Sequence, residues 1–219
     1  MSRQVYFVRH AESTANAGQI TSRPGDSPLT ARGWLQAQCT ADAMARAPEL
    51  IVTSTFVRAK QTAEPLSRRY PRVPCEEWSV QEFTYLDPNR CQSMTYSDRR
   101  PLVEAYWRKC EPAYQDGQDS ESFQAFMIRV YEMILKLASV HQNTIVVFTH
   151  GQFMRAAMWL EANPLGILSS ADMRSFDRYR RSTMIPNCAI VEGSATSRSL
   201  PPSYGPVSYQ HLTASLLTL

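Results

Sequence analysis

Two short apolar runs of this sequence each stop abruptly near a histidine. Gln4–Val8 leads directly into Arg9 and His10, and Thr144–Phe148 is followed by Thr149 and then His150. Uninterrupted β-prone runs of this length are typical of strands buried on both faces of a parallel sheet. Open α/β sheets bind ligands outside the carboxyl ends of such strands. The two histidines are therefore predicted to meet at one edge of a sheet, although they lie far apart in sequence.

The rest of the chain alternates between strand-like runs and helical patterns. Further strands are predicted at Leu50–Thr53, Pro74–Trp78 and Ile185–Val191. Helices are predicted from an N-cap at Thr30 to about Arg46, from a cap at Ser54 or Thr55 to just before Pro71, and over Pro101–Lys109, Glu121–Val140 and Gln152–Leu160. This alternation predicts an α/β fold of three α/β/α layers, in which helices cover both faces of a mainly parallel sheet.

No linker divides the chain, so residues 1–219 are expected to form a single domain. The pattern is irregular from about 83 to 120, between a predicted strand and the long amphipathic helix. This segment is expected to be a cap-like insertion. The tail from about 194 is rich in serine and proline, and part of it is expected to be loosely ordered.

Composition argues against several classes of function. The formal net charge is only +3, and the two signs are interspersed, so no nucleic-acid surface is expected. The five cysteines are scattered without C-x-x-C spacing, which argues against a disulfide framework and a zinc site and fits a reducing compartment. No signal peptide or membrane-spanning run is readable. We therefore expect a cytoplasmic protein with no membrane partner.

A third sequence element adds a cation to the predicted site. Arg58 lies in the helix that follows the second strand, so Arg9 and Arg58 are both expected near the two histidines. Each guanidinium offers a two-pronged fork that matches phosphate oxygens, which a lysine cannot reproduce. Asn16 is a candidate neutral donor to the same oxygens, or else a turn residue, and Gly151 allows close backbone approach at a helix start. Together these residues predict a pocket for a phosphoryl dianion.

The histidines suit different chemical roles at such a pocket. Nearby arginines disfavour a proton on His10, so it is predicted to stay neutral and act as the nucleophile, with its other ring nitrogen held by a backbone carbonyl. His150 is the candidate donor to the transferring phosphoryl group. A departing alkoxide needs a proton, for which Glu82 is the leading candidate; Glu77 and Asp87 are its rivals.

These residues fall into ordered blocks that carry a family resemblance. The blocks are Arg9–Ser13 with Asn16, Pro28–Gly33, Arg58–Ala63, Thr149–Gly151 and Pro186–Asn187. In this order they resemble the histidine phosphatase superfamily, also called the phosphoglycerate mutase-like family, from Val5 to about Val191. Two positions depart from its usual pattern: Ala11 stands where many members have glycine, and Val80–Glu82 replaces L-x-E around the acid.

The resemblance implies a reaction and assigns roles to the candidate residues. It implies that His10 becomes phosphorylated, that Arg9, Arg58 and His150 complete the phosphate pocket, and that Glu82 donates the proton. It also implies that no metal and no cofactor take part. The leading prediction is a metal-independent phosphomonoesterase that hydrolyses small-molecule phosphate esters.

Three alternative functions stay open. A cofactor-dependent phosphoglycerate mutase is disfavoured because the E-R-x-Y-G block of that subgroup is absent from Gln81–Leu86. A phosphatase of phosphoproteins or phosphohistidine, and a non-catalytic phosphate-binding module, are the others. The arginines of Arg90–Lys109 are interpreted as surface charge, with the alternative that Arg99 and Arg100 select a second anionic group of the substrate. The substrate and the oligomeric state are left open.

Overall fold

A computed structural model of the chain describes residues 3–20, 23–196 and 199–219. The strands are β1 (Arg3–Arg9), β2 (Leu50–Ser54), β3 (Cys75–Trp78), β4 (Thr144–Thr149), β5 (Ile190–Thr196) and β6 (Ser199–Ser208). They form one sheet in the order β3-β2-β4-β1-β5-β6. Strands β3, β2, β4 and β1 run parallel to one another. At one edge, β5 runs antiparallel to β1, and β6 runs antiparallel to β5. The mainly parallel sheet confirms the predicted fold class.

Helices cover both faces of this sheet. They are α1 (Ala31–Ala43), α2 (Val57–Arg69), α3 (Tyr96–Lys109), α4 (Phe123–Ser139), α5 (Gly151–Ala162) and α6 (Ser170–Ser182). Because successive strand residues point to opposite faces, Phe7 joins a core cluster with Phe126 of α4 and Phe153 of α5. Its neighbour Val8 joins a second cluster with Leu66 of α2. The three predicted layers are therefore present.

The antiparallel edge differs from the sequence prediction. The last strand was expected at Ile185–Val191, but β5 begins only at Ile190. The preceding residues turn instead: Cys188 has φ 58° and the Ala189 N–H donates to the Pro186 carbonyl at 3.0 Å. The tail that was expected to be partly loose contributes strand β6 over 199–208. Strand β6 lies at the edge of the sheet, and no further strand pairs with its outer side. Proline, which lacks a backbone N–H, is tolerated at such an edge.

Local capping explains where the helix predictions were incomplete. Helix α6 was not predicted, because only Met173 and Phe176 are buried on it, but a Ser169–Asp172 capping box starts it. Helix α3 begins at Tyr96 rather than at Pro101.

Within the described ranges, no helix combines the length and the apolar character needed to cross a membrane.

The segment that joins β3 to α4, residues 79–122, is anchored on the core by aromatic side chains. Phe83 stacks on Phe126 with ring centroids 4.3 Å apart and an interplanar angle of 10°. Tyr106 and Trp107 of α3 are buried in the same cluster. Burial of several aromatic rings, with favourable ring geometry, fixes this segment against α4 and α5.

Candidate active site

The carboxyl ends of three adjacent strands bring the predicted residues together. In the register of β1 and β4, Arg9 lies opposite Thr149, and the His10 N–H donates to the Thr149 carbonyl at 2.8 Å. The next residues on the two strands are His10 and His150, whose ring centroids lie 5.0 Å apart. The helices that follow β1 and β4 pack on opposite faces of the sheet, so the site lies at a topological switch point.

His10 is held with one ring nitrogen bound and the other directed at a cation. Its Nδ1 lies 2.7 Å from the Ala11 carbonyl, which can only accept, so Nδ1 carries the hydrogen. The Nε2 lone pair accepts a hydrogen bond from Arg58 Nε at 3.1 Å. The ring is only 3% exposed. This confirms the expected backbone contact and leaves Nε2 as the ring nitrogen that carries the lone pair.

Arg58 is fixed from both ends of its side chain. It is the second residue of α2, and its Nη1 donates to the Pro24 carbonyl at 2.6 Å. The guanidinium also lies over the Phe56 ring, 4.9 Å from its centroid. Thr62, one turn further along α2, accepts from the Ala11 N–H at 2.9 Å and so ties the helix to the loop after β1. Arg58 is therefore preorganised beside His10.

His150 is oriented by Ser54, a residue that sequence reasoning assigned only to a helix cap. The Ser54 hydroxyl oxygen accepts from the Phe56 N–H and lies 2.8 Å from His150 Nε2. The Ser54 hydroxyl can donate to Nε2 or accept from it; when it donates, the hydrogen of a neutral His150 lies on Nδ1. That Nδ1 is buried and has no partner among the described residues. In this tautomer His150 presents a donor that no described residue uses.

Arg9 and Gly151 meet a second arginine that sequence reasoning missed. Arg9 Nη1 donates to the Ile185 carbonyl at 2.5 Å, while its buried Nε has no partner among the described residues. A Cβ at Gly151 would lie 2.9 Å from Arg155 Nη1 and 3.5 Å from Arg9 Nε. A Cβ at this position would displace the Arg155 guanidinium, so glycine lets both cations approach the start of α5. Arg155, on α5, carried no signal beyond its distance of five residues from His150.

Glu82 lies at the N-terminus of α5, beside the cations. Its carboxylate accepts from the Gln152 N–H at 3.1 Å and from the Phe83 N–H at 3.0 Å. Burial lowers the pKa values of Arg9, Arg58 and Arg155, and the negative charge of Glu82 partly offsets this lowering. The two rival acids are engaged elsewhere.

Glu77 forms an exposed ion pair with Lys60 at 2.7 Å, and Asp87 accepts from the Asn89 N–H at 2.8 Å. Neither lines the cavities that contain Glu82. Of the three carboxylates, the geometry therefore places Glu82 beside the histidines and arginines.

Among the polar residues next to the site, Glu12 and Asn187 make structural contacts, whereas Asn16 keeps part of its side chain unbound. The Asn16 side-chain oxygen accepts from Ser13, as in a turn, while its amide nitrogen has no partner among the described residues and faces the cavity that Arg9 lines. Glu12 binds Thr30 and Arg32, and Asn187 donates to the His10 carbonyl at 2.9 Å. Asn187 therefore satisfies backbone at the site, as predicted.

The electrostatics keep both histidines neutral. Burial, followed by the charges of Arg58 and Arg9, lowers the pKa of His10 well below its ordinary value. The same causes, burial first, lower the pKa of His150. Burial also lowers the pKa values of Arg9 and Arg58 to about 10, so both guanidiniums stay charged at neutral pH. The site pairs neutral imidazoles with fixed cations, which suits a dianionic ligand.

These shifts predict how stability depends on pH. The free energy of unfolding is expected to fall as the pH drops below about 6.5, the ordinary pKa of histidine. In that range the unfolded chain protonates His10 and His150, whereas the folded chain keeps them neutral. Each extra proton on the unfolded state changes stability by about 1.4 kcal/mol per pH unit.

Urea denaturation at pH 7, 6 and 5 measures this slope. Stability from this source is complete above the unfolded pKa and is lost as the pH falls towards the lowered folded pKa values. His10→Ala removes the contribution of His10, so its stability should decline less steeply than that of the wild type. Equal slopes for the two proteins would contradict the assignment.

No group of three or more His, Cys, Asp or Glu side chains that could hold a metal ion occurs within the described ranges.

The site opens into adjoining cavities. One of about 840 Å³ lies on the side of Arg9 and Arg155, and one of about 480 Å³ lies beside Glu82. The arrangement therefore combines neutral imidazoles, fixed cations and a carboxyl group with room for a ligand and for water.

Comparison with solved structures confirms the fold. The chain resembles a putative alpha-ribazole-5'-P phosphatase from Escherichia coli K-12, with a TM-score of 0.71 and 22% identity over 95% of this chain and 97% of that one. It resembles a mycobacterial glucosyl-3-phosphoglycerate phosphatase with a TM-score of 0.69 and 20% identity, over 97% of this chain and 100% of that one.

The relatives found by sequence comparison include proteins named as phosphoglycerate mutases and proteins named as phosphatases. A probable phosphoglycerate mutase of Salmonella arizonae is 29% identical over 155 residues, which cover 68% of this chain and 69% of that protein. An adenosylcobalamin/alpha-ribazole phosphatase of Salmonella typhi is 27% identical over 159 residues, covering 68% and 74%. The model of the histidine phosphatase superfamily, branch 1, matches residues 5–176, which is most of the chain. The chain therefore belongs to the histidine phosphatase superfamily, as the blocks of sequence around Arg9, Arg58 and His150 predicted.

Proposed function

We propose that this protein hydrolyses small-molecule phosphate monoesters through a phosphohistidine on His10, without a metal ion. The observation that carries the proposal is the state of His10: Nδ1 is bound to the Ala11 carbonyl, and the Nε2 lone pair lies among the pocket cations. A neutral imidazole in this setting can attack phosphorus once a bound phosphoryl group takes over the Arg58 Nε hydrogen bond and frees the Nε2 lone pair.

In the first step, His10 Nε2 forms a bond to phosphorus as the bond to the alcohol oxygen breaks. Arg9 Nε and His150 Nδ1, both buried and without partners among the described residues, suit the phosphoryl oxygens, together with the Arg58 fork. The imidazole gains positive charge, which the Ala11 carbonyl stabilises. Glu82, in its protonated form, gives its hydrogen to the departing alkoxide and becomes a carboxylate.

In the second step, water attacks the phosphohistidine. The Glu82 carboxylate takes a proton from the water as its oxygen bonds to phosphorus, and the N–P bond breaks. Inorganic phosphate leaves, His10 returns to the neutral form, and Glu82 is again protonated. Dividing the reaction avoids direct attack of water on an unassisted phosphate dianion. The cavity of about 480 Å³ beside Glu82, lined by polar residues such as Gln81 and Ser120, supports access of water.

The relatives support hydrolysis but leave the substrate open. One curated relative is named a phosphatase of adenosylcobalamin or alpha-ribazole, and solved structures of similar fold include phosphatases. Another relative is named a probable phosphoglycerate mutase. All five cysteines are free, which supports the proposal of a reducing, cytoplasmic location.

The proposal is tested by release of inorganic phosphate from a panel of phosphate monoesters in the presence of EDTA. We expect release from several esters, unaffected by the chelator. A phosphoglycerate mutase assay on the same protein separates transfer from hydrolysis. Rapid interconversion of phosphoglycerates with negligible phosphate release would contradict hydrolysis, and activity lost with EDTA would contradict metal independence.

Ser54 is expected to act on the reaction through His150. Ser54→Ala removes the hydroxyl that fixes the hydrogen of His150 on Nδ1, so kcat is expected to fall about tenfold, with little change in KM. The matched control is Ser139→Ala, which removes an exposed hydroxyl that binds the Lys136 carbonyl at the end of α4, away from the histidines. Equal kcat values for Ser54→Ala and the wild type would contradict this positioning role.

A further inference from the structure

A second cavity, of about 220 Å³, joins the phosphate site to helix α3. Arg58 and Glu82 contribute to one part of its wall, and Cys91, Arg99 and Val103 contribute to another. We propose that it binds the leaving group of the substrate, and that this group is compact and apolar, such as an aromatic ring, and carries an anionic substituent that Arg99 binds. The inference rests on the proposed function, because it names the alcohol half of the ester.

The position of the cavity ties it to the bond that breaks. Glu82, the proposed proton donor, has to lie beside the oxygen of the leaving group, and it lines this cavity. Phe56 marks the boundary: its ring packs edge-on against His150, with centroids 5.1 Å apart, and lies under the Arg58 guanidinium. A leaving group that receives its proton from Glu82 can therefore extend past Phe56 into the cavity.

The wall of the cavity favours an apolar group. Phe56, Phe83, Leu86 and Val103 contribute apolar side chains. Phe83 is held by its stacking on Phe126, so this part of the wall is preformed. An apolar cavity of about 150 Å³ is large enough to hold benzene, so this volume accommodates a six-membered ring with a small substituent. Burying such a ring here gains hydrophobic free energy that a hydrated polyol would not.

Arg99 is a charged side chain of this wall, and only part of its hydrogen-bonding capacity is used. Its Nη2 donates to the Met94 carbonyl at 2.9 Å, while its buried Nε has no partner among the described residues. Two other arginines of the segment are paired: Arg90 with Asp116 at 2.8 Å, and Arg100 with Glu104 at 3.0 Å. Arg99 has no carboxylate within ion-pair distance in the described ranges. Its guanidinium is therefore suited to an anionic group of the ligand.

The structure thus separates two residues that the sequence could not distinguish. Arg99 lines the cavity, whereas Arg100 is exposed and engaged with Glu104. The adjoining cavity of about 480 Å³ includes Asp119 and Glu121 in its wall, which disfavours an anionic substituent there. The side of the site that Arg99 lines is therefore the side that suits a negatively charged leaving group.

The test compares phenyl phosphate, 4-carboxyphenyl phosphate and glycerol 3-phosphate as substrates. The wild type is expected to show a higher kcat/KM for both aryl esters than for glycerol phosphate. In Arg99→Ala, the ratio of kcat/KM for the carboxyphenyl ester to that for the phenyl ester is expected to fall about tenfold or more. Using the ratio within one variant cancels the different reactivity of the two esters and any general loss of activity.

Two further variants sharpen the test. Arg100→Ala is the matched control and should leave the ratio unchanged. Val103→Asn makes the apolar wall polar and should lower kcat/KM for both aryl esters relative to glycerol phosphate. An unchanged ratio in Arg99→Ala, or a fall of the same size in Arg100→Ala, would overturn the inference while phosphate release upheld the proposed function. Failure of the wild type to hydrolyse any ester would overturn both.

Discussion

Replacing His10 with alanine is expected to lower kcat by at least about 1000-fold, because the variant loses the atom that bonds to phosphorus. The other groups of the pocket keep their own anchors: Arg9 on the Ile185 carbonyl, Arg58 on the Pro24 carbonyl, and His150 on Ser54. Phosphate affinity is therefore expected to persist in His10→Ala. Steady-state kinetics and isothermal titration with inorganic phosphate measure the two effects separately.

The matched control is His141→Ala, which removes an exposed histidine before β4. It should retain the wild-type kcat. If His10→Ala kept more than about a tenth of the wild-type kcat while remaining folded, His10 would not be the nucleophile, since loss of a nucleophile costs far more. Water attacking phosphorus directly would then be the better account of the site.

Replacing Glu82 with glutamine is expected to slow hydrolysis in proportion to how poor the leaving group is. Glutamine keeps the shape and can still accept from the Gln152 N–H, but it has no acidic proton to give. For alkyl phosphates we expect a loss of about 100-fold to 10,000-fold in kcat/KM, which reports the steps up to departure of the alcohol. For 4-nitrophenyl phosphate, whose leaving group departs without a proton, the loss in kcat/KM should be much smaller, although kcat falls because the second step lacks its base. A plot of log kcat/KM against the pKa of the leaving alcohol measures the difference.

The rival acids provide controls for this experiment. Glu77→Gln alters an exposed carboxylate paired with Lys60, and Asp87→Asn alters one that binds the Asn89 N–H. Neither substitution should change the dependence on the leaving group. If Glu82→Gln lost equal kcat/KM on alkyl and nitrophenyl esters, Glu82 would contribute electrostatically and not as a proton donor. A selective loss in Glu77→Gln or Asp87→Asn would move the role to that residue.

The central part of the site was predictable because it depends on strand ends. An apolar run that stops at a polar pair marks both the strand and its carboxyl end, so His10 and His150 followed from the same pattern that gave β1 and β4. Arg58 followed because it lies just after β2, which pairs with β4. Short connections in a parallel sheet leave little freedom in where such residues lie.

The residues that sequence reasoning missed act through tertiary contacts. Ser54 reads locally as a helix cap, but it lies beside His150 only because β2 and β4 are neighbours. Arg155 reads as a helical surface arginine; it lies one turn after Gly151 on α5, and its place beside Arg9 depends on how α5 packs. In the same way, the separate roles of Arg99 and Arg100 depend on the rotation of α3, which a weakly amphipathic helix does not reveal.

The errors in the fold have a similar cause. The run from Ile185 has the composition of a strand, but its first residues turn so that the Ile185 carbonyl binds Arg9 and Asn187 binds the His10 carbonyl. Contacts with the site therefore displaced the start of β5. The serine- and proline-rich segment that forms β6 lacks a strand pattern of its own, and it is paired because β5 offers a free edge.

The most direct test of the account is to trap the phosphohistidine. The protein is mixed with an excess of a rapidly hydrolysed ester and quenched in alkali within milliseconds, since alkali preserves phosphohistidine; peptide mass spectrometry then locates the phosphoryl group. The account predicts a phosphoryl adduct on Nε2 of His10, absent from His10→Ala and accumulating in Glu82→Gln with a nitrophenyl ester, because that variant lacks the base for the second step. Turnover of the same ester with no adduct on His10 at any quench time in either protein would contradict it.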